Sequence, residues 1–238
     1  MIALVFILLL NLPSIKNGDE AFVKQHYEDA LSIYEEGLTK NPANADLLWR
    51  IARTYVSMGD VAQREERERY YRNADDYSSR AVRSDSLNSD AHCWKAITVG
   101  YVSMFEGTRS KVKMANVVKY ELDVAIRLNP ENDVAYSILG TFYRALGNIS
   151  WIEKQFASLF LGGVPDGGFE EGEQALKKAV ALAPNIIRHR YELGRLYLDW
   201  GKEKEAKKVF SETVNLQPNL ASDTRRIEFM KRKLKDLP

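Results

Sequence analysis

The feature that most constrains the fold is a pattern that returns along the chain. Its clearest copy runs from Ile187 to Pro218: Leu193-Gly194, Tyr197, Gly201, Ala206, Phe210 and a closing Pro218. Such offsets describe two amphipathic helices joined by a glycine turn. The small residues Gly194 and Ala206 let the helices approach, and Tyr197 and Phe210 fill the space between neighbouring pairs. Pro218, lacking an amide donor, ends the second helix. Upstream, Leu139-Gly140, Tyr143 and Gly147 form a first helix, and Leu176, Ala179 and Pro184 form its partner. Ala30, Tyr34 and Pro42 close an earlier unit, with Gly37 where alanine is usual, and Ile51-Ala52, Tyr55 and Gly59 start the next. Trp94, Ile97 and Tyr101 begin another, which ends at Leu122, Ala125 and Pro130.

These offsets are those of the tetratricopeptide repeat, whose period is about 34 residues. The expected fold is all-α: a tetratricopeptide-like right-handed α-solenoid of about five helix pairs, since no stretch shows the sustained alternation of a strand. Closing positions 42, 86, 130, 184 and 218 are separated by 44, 44, 54 and 34 residues, so only the last repeat is unmodified. Ser86 stands where proline is usual, which weakens that boundary. The repeat domain is expected over 18–220, with inserts at about 61–75, 105–118 and 148–168. The charged run Arg64 to Arg69 reads as a solvated helix extension. Residues 221–238 are basic, with Ile227, Met230 and Leu234 at three- and four-residue steps, and read as an amphipathic helix capping the open end.

The segment 1–17 stands apart. Met1 to Leu10 is almost wholly apolar, and Asn11-Leu12-Pro13-Ser14 stops the run. That length falls short of the roughly 20 residues needed to span a bilayer. Two readings stay open: an export signal or membrane anchor, or a first helix packed on the domain. No basic residue precedes the run and no small-x-small site follows it. The first reading implies an exported or membrane-associated protein, the second a cytoplasmic one.

The third and fourth units carry the informative inserts. His92 to Gly107 is apolar and aromatic, then turns basic through Arg109, Lys111, Lys113 and Lys119. Ile149 to Leu161 carries Trp151, Ile152, Phe156, Leu159 and Phe160, and Gly162-Gly163-Val164-Pro165-Asp166-Gly167-Gly168 follows. The helix after Ser150 is expected to fold back into the superhelical groove, as a flap or a plug, against the aromatic residues between Trp94 and Phe105.

Two functional classes survive. One is a scaffold or adaptor whose concave face binds a protein or peptide through Arg50, Arg53, Lys95, Arg144, Arg190 and Arg195 on the first helices. The other is a carrier of a phospholipid or other apolar ligand. Its groove would be lined by Trp94, Tyr101, Phe105, Glu106, Trp151, Phe156 and Phe160, with Lys111 and Lys113 near an anionic head group.

Catalysis has little material. The 34 Lys and Arg against 33 Asp and Glu leave a net charge of +1, so no global field draws the chain to nucleic acid. The single Cys93 excludes an intrachain disulfide and a multi-cysteine zinc site, and three histidines offer little for metal or acid–base work. No phosphate loop and no nucleophile elbow is present. The chain reads as non-enzymatic, with no cofactor and no metal. His26 and His189 are expected to face solvent. Glu106 and Glu153 are expected to bond backbone amides or to pair with Lys111 or Arg144.

At the inserts the sequence resembles a known family. WRIARTY (49–55), GYVSMFEG (100–107), ELDVAIRLNPEN (121–132), SWIEK (150–154) and LFLGGVP (159–165) resemble the regulator of microtubule dynamics family, in order, over roughly Tyr27 to Pro218. The resemblance implies a tetratricopeptide fold and an association with microtubules and spindle poles. In one member it implies a tether between mitochondria and endoplasmic reticulum that carries phospholipid in its repeat domain. An acidic motif with paired phenylalanines is absent from this sequence, so the tethering role is not implied.

Overall fold

The computed structural model describes the backbone of residues 2–237 and the side chains of residues 13–237. Packing of the apolar side chains of Met1 to Leu10 therefore lies outside the described residues. Among the described residues there are twelve α-helices and no strand. They are α1 (Ile2–Val23), α2 (Tyr27–Lys40), α3 (Ala45–Val61), α4 (Arg64–Ser84), α5 (Ser89–Ser103) and α6 (Thr108–Leu128), then α7 (Asp133–Gly147), α8 (Trp151–Leu161), α9 (Phe169–Leu182), α10 (Ile187–Asp199), α11 (Glu203–Thr213) and α12 (Ala221–Asp236). Among the described residues, which leave out the side chains of 1–12, no helix is long and apolar enough to cross a membrane.

Local chemistry explains where the helices begin. Asn44, Asn88 and Asn132 cap α3, α5 and α7, each side-chain oxygen accepting from the backbone N–H of Leu47, Ala91 or Ala135. The turn at Ser86, where proline is missing, is held by Asp85, whose side chain accepts from the Leu87 N–H at 2.9 Å. Asn129 makes the same bond to Glu131 ahead of α7. α4 and α6 each run 21 residues, so surplus sequence there is helix length.

The helices gather into two compact units, Met1–Phe105 and Glu106–Pro238. In the first, α1 packs on α2, α2 on α3, α3 on α4, and α5 on both α3 and α4. Tyr34, Leu47, Leu48 and Ile51 form its fully buried centre. α1 passes through Pro13 unbroken. Its approach to α2 is close: a Cβ at Gly18 would overlap the Tyr34 ring.

In the second unit α6 packs on α7, α7 on α9, and α10 on α7, α9 and α11. Leu176, Leu193, Leu196, Tyr197 and Ala206 form one buried cluster, and Ile187, Phe210 and Met230 another. α12 packs on α10 and α11, with Ile227 and Leu234 against the second cluster. Gly194 is where α10 and α11 cross, and a Cβ there would overlap Phe210.

α8 corrects one expectation. It contacts α6 but leaves Trp151, Ile152, Phe156, Leu159 and Phe160 between 53% and 74% exposed, with only Ala157 buried. The expected burial of Trp151, Phe156 and Phe160 does not occur. Three- and four-residue spacing puts these groups on one face, and nothing in that spacing says whether the face meets protein or solvent.

Candidate functional site

The basic residues of the first helices were expected to await a partner, and the structure supplies most of them with partners of its own. In the first unit Asp19 of α1 is the hub. It accepts from Arg50 Nε at 3.0 Å and from Tyr34 Oη at 2.7 Å, and Arg53 bridges Asp19 and Tyr34. Arg50 also stacks on Trp49, and Arg53 lies over Phe22, 3.8 Å from the ring centre. Burial alone would raise the Asp19 carboxyl. The Tyr34 hydroxyl and the two guanidiniums outweigh it and hold Asp19 below the usual carboxylate range. Burial also drives the Tyr34 phenol upward, with Asp19 adding to the rise. Lys95 of α5 donates to Asp75 and Ser79, both at 2.8 Å, while Thr98 joins Asp75 from the same helix.

The second unit repeats the arrangement. Arg144 of α7 faces Glu192 at 3.1 Å and Asp199 at 3.6 Å, both on α10. That pairing replaces the expected contact with Glu153. Arg195 donates to Tyr191 Oη at 3.0 Å and lies over the Phe229 ring of α12. Burial would lower the Arg195 guanidinium, but Tyr191, Glu192 and Asp199 raise it on balance. Arg190 donates to the Pro184 carbonyl and approaches Glu212. Arg53 Nε is buried without an aligned hydrogen bond, and Arg144 Nη1 and Glu192 Oε2 meet each other as an ion pair without one.

His189 is a further correction. It was expected in solvent, but it is 1% exposed, with Nε2 2.7 Å from Asp133 Oδ2. The Ile187–Asp199 helix turns it inward toward α7 because Ile187 and His189 begin the buried face of α10. His26 is exposed, 3.7 Å from Asp29. Sequence reasoning also missed Asp19, Asp75, Glu192 and Asp199. Carboxylates opposite a row of first-helix cations were the available signal.

The ligand-groove candidates fall in both units. Trp94 packs in the first unit's core, Tyr101 stacks on Tyr71 at 4.3 Å, and Phe105 is exposed near the same ring. Glu106 is half-buried and Lys111 exposed. Trp151, Phe156 and Phe160 point outward on α8. Glu153 is exposed and completes a capping box with Ser150, whose hydroxyl and N–H both donate to Oε2, so it bonds a backbone amide as the sequence suggested. Those bonds hold its carboxyl below the usual range. No group of three or more His, Cys, Asp or Glu among the described residues is placed to hold a metal.

Comparison with known proteins adds three findings. The family model for regulator of microtubule dynamics protein 1-3 matches residues 14–238. Rat regulator of microtubule dynamics protein 2 is 32% identical over 183 residues, 76% of this chain and 44% of that protein. Mouse regulator of microtubule dynamics protein 1 is 28% identical over 199 residues, 78% of this chain and 65% of that protein. The chain thus spans less than two thirds of the length of these relatives. Among solved structures, a thermophilic TPR protein of Thermus thermophilus matches with a TM-score of 0.70 at 19% identity, covering 93% of this chain and 99% of that one. That last likeness is one of fold.

Proposed function

The chain belongs to the regulator of microtubule dynamics family, and from that premise we propose that it is a non-enzymatic tetratricopeptide scaffold that binds a protein partner along its first-helix faces. The observation that carries this reading is the row of half-buried ion pairs joining α7 to α10: Arg144 with Glu192 and Asp199, and Arg195 beside them. Charges of both signs held in fixed geometry give register and selectivity to a partner segment more than raw affinity. The family name points to microtubules as the first partner to test.

The carrier reading has less support. Its aromatic residues are either committed to core packing, as Trp94 is, or turned to solvent, as Trp151, Phe156 and Phe160 are.

The experiment is cosedimentation of the purified chain with polymerised tubulin, with Glu192→Gln/Arg195→Gln as the variant and circular dichroism as the check on folding. Saturable pelleting that weakens about tenfold in the folded variant is expected, a loss of about 1.4 kcal/mol. A chain that stays in the supernatant removes microtubules as the partner. Equal pelleting of both proteins removes the α7–α10 face.

A further inference from the structure

We propose that α8, together with the adjoining face of α6, is a docking surface for an anionic lipid bilayer. α8 is a finished helix: the Ser150–Glu153 capping box starts it, and Gly162 at φ 90° closes it, with the Gly163 N–H reaching back to the Ala157 carbonyl at 2.9 Å. With about 100° between successive residues, Trp151, Ile152, Phe156, Leu159 and Phe160 fill about half the circumference, opposite buried Ala157. A helix stabilised at both ends while its apolar half faces water has a surface that something else must cover.

The charge beside it says what covers it. Asn116 of α6 donates to the Gly163 carbonyl at 3.0 Å, tying the end of α8 to α6. Arg109, Lys113, Asn116 and Tyr120 follow at four-, three- and four-residue steps, so they share that face of α6. Arg109, Lys113 and Tyr120 are exposed there, and Lys111 is exposed one turn from the helix start. Two carboxylates of these helices are engaged: Asp123 holds Lys119 at 2.7 Å and Glu153 is bound into the cap. The result is an uncharged apolar arc, with tryptophan and phenylalanine on it, beside unpaired cations. Helices that lie in a bilayer interface combine these two features. A second copy of the chain fits less well, because a two-fold contact on this face brings the two basic rims together.

Vesicle flotation of the intact chain tests the proposal, using phosphatidylcholine alone and phosphatidylcholine with about 30 mol% phosphatidylserine. The substituted positions are exposed, and circular dichroism confirms that each variant folds. Flotation with the anionic vesicles is expected to fall at least tenfold for Phe156→Glu/Leu159→Glu and for Arg109→Glu/Lys113→Glu, and to weaken in about 0.5 M salt. The fluorescence lost in Trp151→Phe is expected to be the part that shifts blue on binding. Flotation unchanged in either double variant overturns the proposal, as does failure of the parent to float. A dimer in analytical ultracentrifugation that Phe156→Glu/Leu159→Glu converts to monomer also overturns it, in favour of a second copy.

Discussion

Replacing Gly140 by alanine tests the helix-pair register at a point where two helix backbones come close. A Cβ at Gly140 would overlap Leu176 Cγ and stand 3.0 Å from the Gly172 carbonyl oxygen on α9. The contact is reciprocal, since a Cβ at Gly172 would lie 3.2 Å from the Gly140 carbonyl oxygen. Leu176 is fully buried in a cluster with Leu193 and Leu196, and a backbone carbonyl moves only if its helix moves. Overpacking of this kind costs about 1–3 kcal/mol. Alanine returns about 1 kcal/mol of helix propensity, leaving a net loss of roughly 1–2 kcal/mol. Gly100 in α5 is the control, because a Cβ there meets nothing within 4 Å. Gly100→Ala should therefore gain up to about 1 kcal/mol. At about 2–4 °C per kcal/mol for a chain of this size, the two variants should melt on opposite sides of the parent by circular dichroism. If Gly140→Ala melts at or above the parent, α7 and α9 do not cross where the structure puts them.

Two other outcomes follow from the polar groups. Asp19 has its pKa depressed in the folded state, so its stabilisation is complete above the unfolded carboxylate value of about 3.9 and is lost as pH falls through the folded one. Asp19→Asn should lower the melting temperature at pH 7, and the gap to the parent should close below about pH 4; a gap that holds from neutral to acid pH refutes the Asp19 hub. Ser150→Ala removes the capping box of α8, worth about 1 kcal/mol to that helix. Since α8 buries little, amide exchange along 151–161 should speed up while the global melting temperature stays put. A matching fall in global stability would mean that α8 is part of the core.

How much of this was legible in the sequence depends on whether the information was local. Gly140, Gly194, Ala206 and Phe210 announced helix pairs because a small residue opposite a large one has meaning at fixed spacing. The asparagine caps at 44, 88 and 132 repeat at the interval the closing positions gave, a regularity that the repeat reading did not use. The pairing of the first-helix cations was not legible. Asp19 meets Arg50 and Arg53 from 31 and 34 residues upstream, and Asp133 meets His189 across 56, so only the stacking of helices brings them together. The single histidine at 189 gave no sign of facing inward. α8 failed for a different reason: an apolar stripe is the same string of residues whether it faces a groove or solvent.

The two kinds of surface differ in how readily they accept a partner. Where Arg144 already faces Glu192 and Asp199, an incoming charge gains only the difference between the old pairing and the new, and desolvation of half-buried groups offsets part of that. Arg144 Nη1 and Glu192 Oε2 are each other's ion-pair partners at 3.1 Å, so a partner segment gains there only by competing with that pair. Binding there is expected to be selective and modest. The outward face of α8 has no prior partner to lose, so covering it breaks no existing pairing, and the gain is non-directional and sensitive mainly to how much is covered. Segregating directional polar contacts to α7 and α10 and non-directional apolar ones to α8 lets each be altered without the other. That separability is why Glu192→Gln/Arg195→Gln and Phe156→Glu/Leu159→Glu should each weaken one kind of association and spare the second.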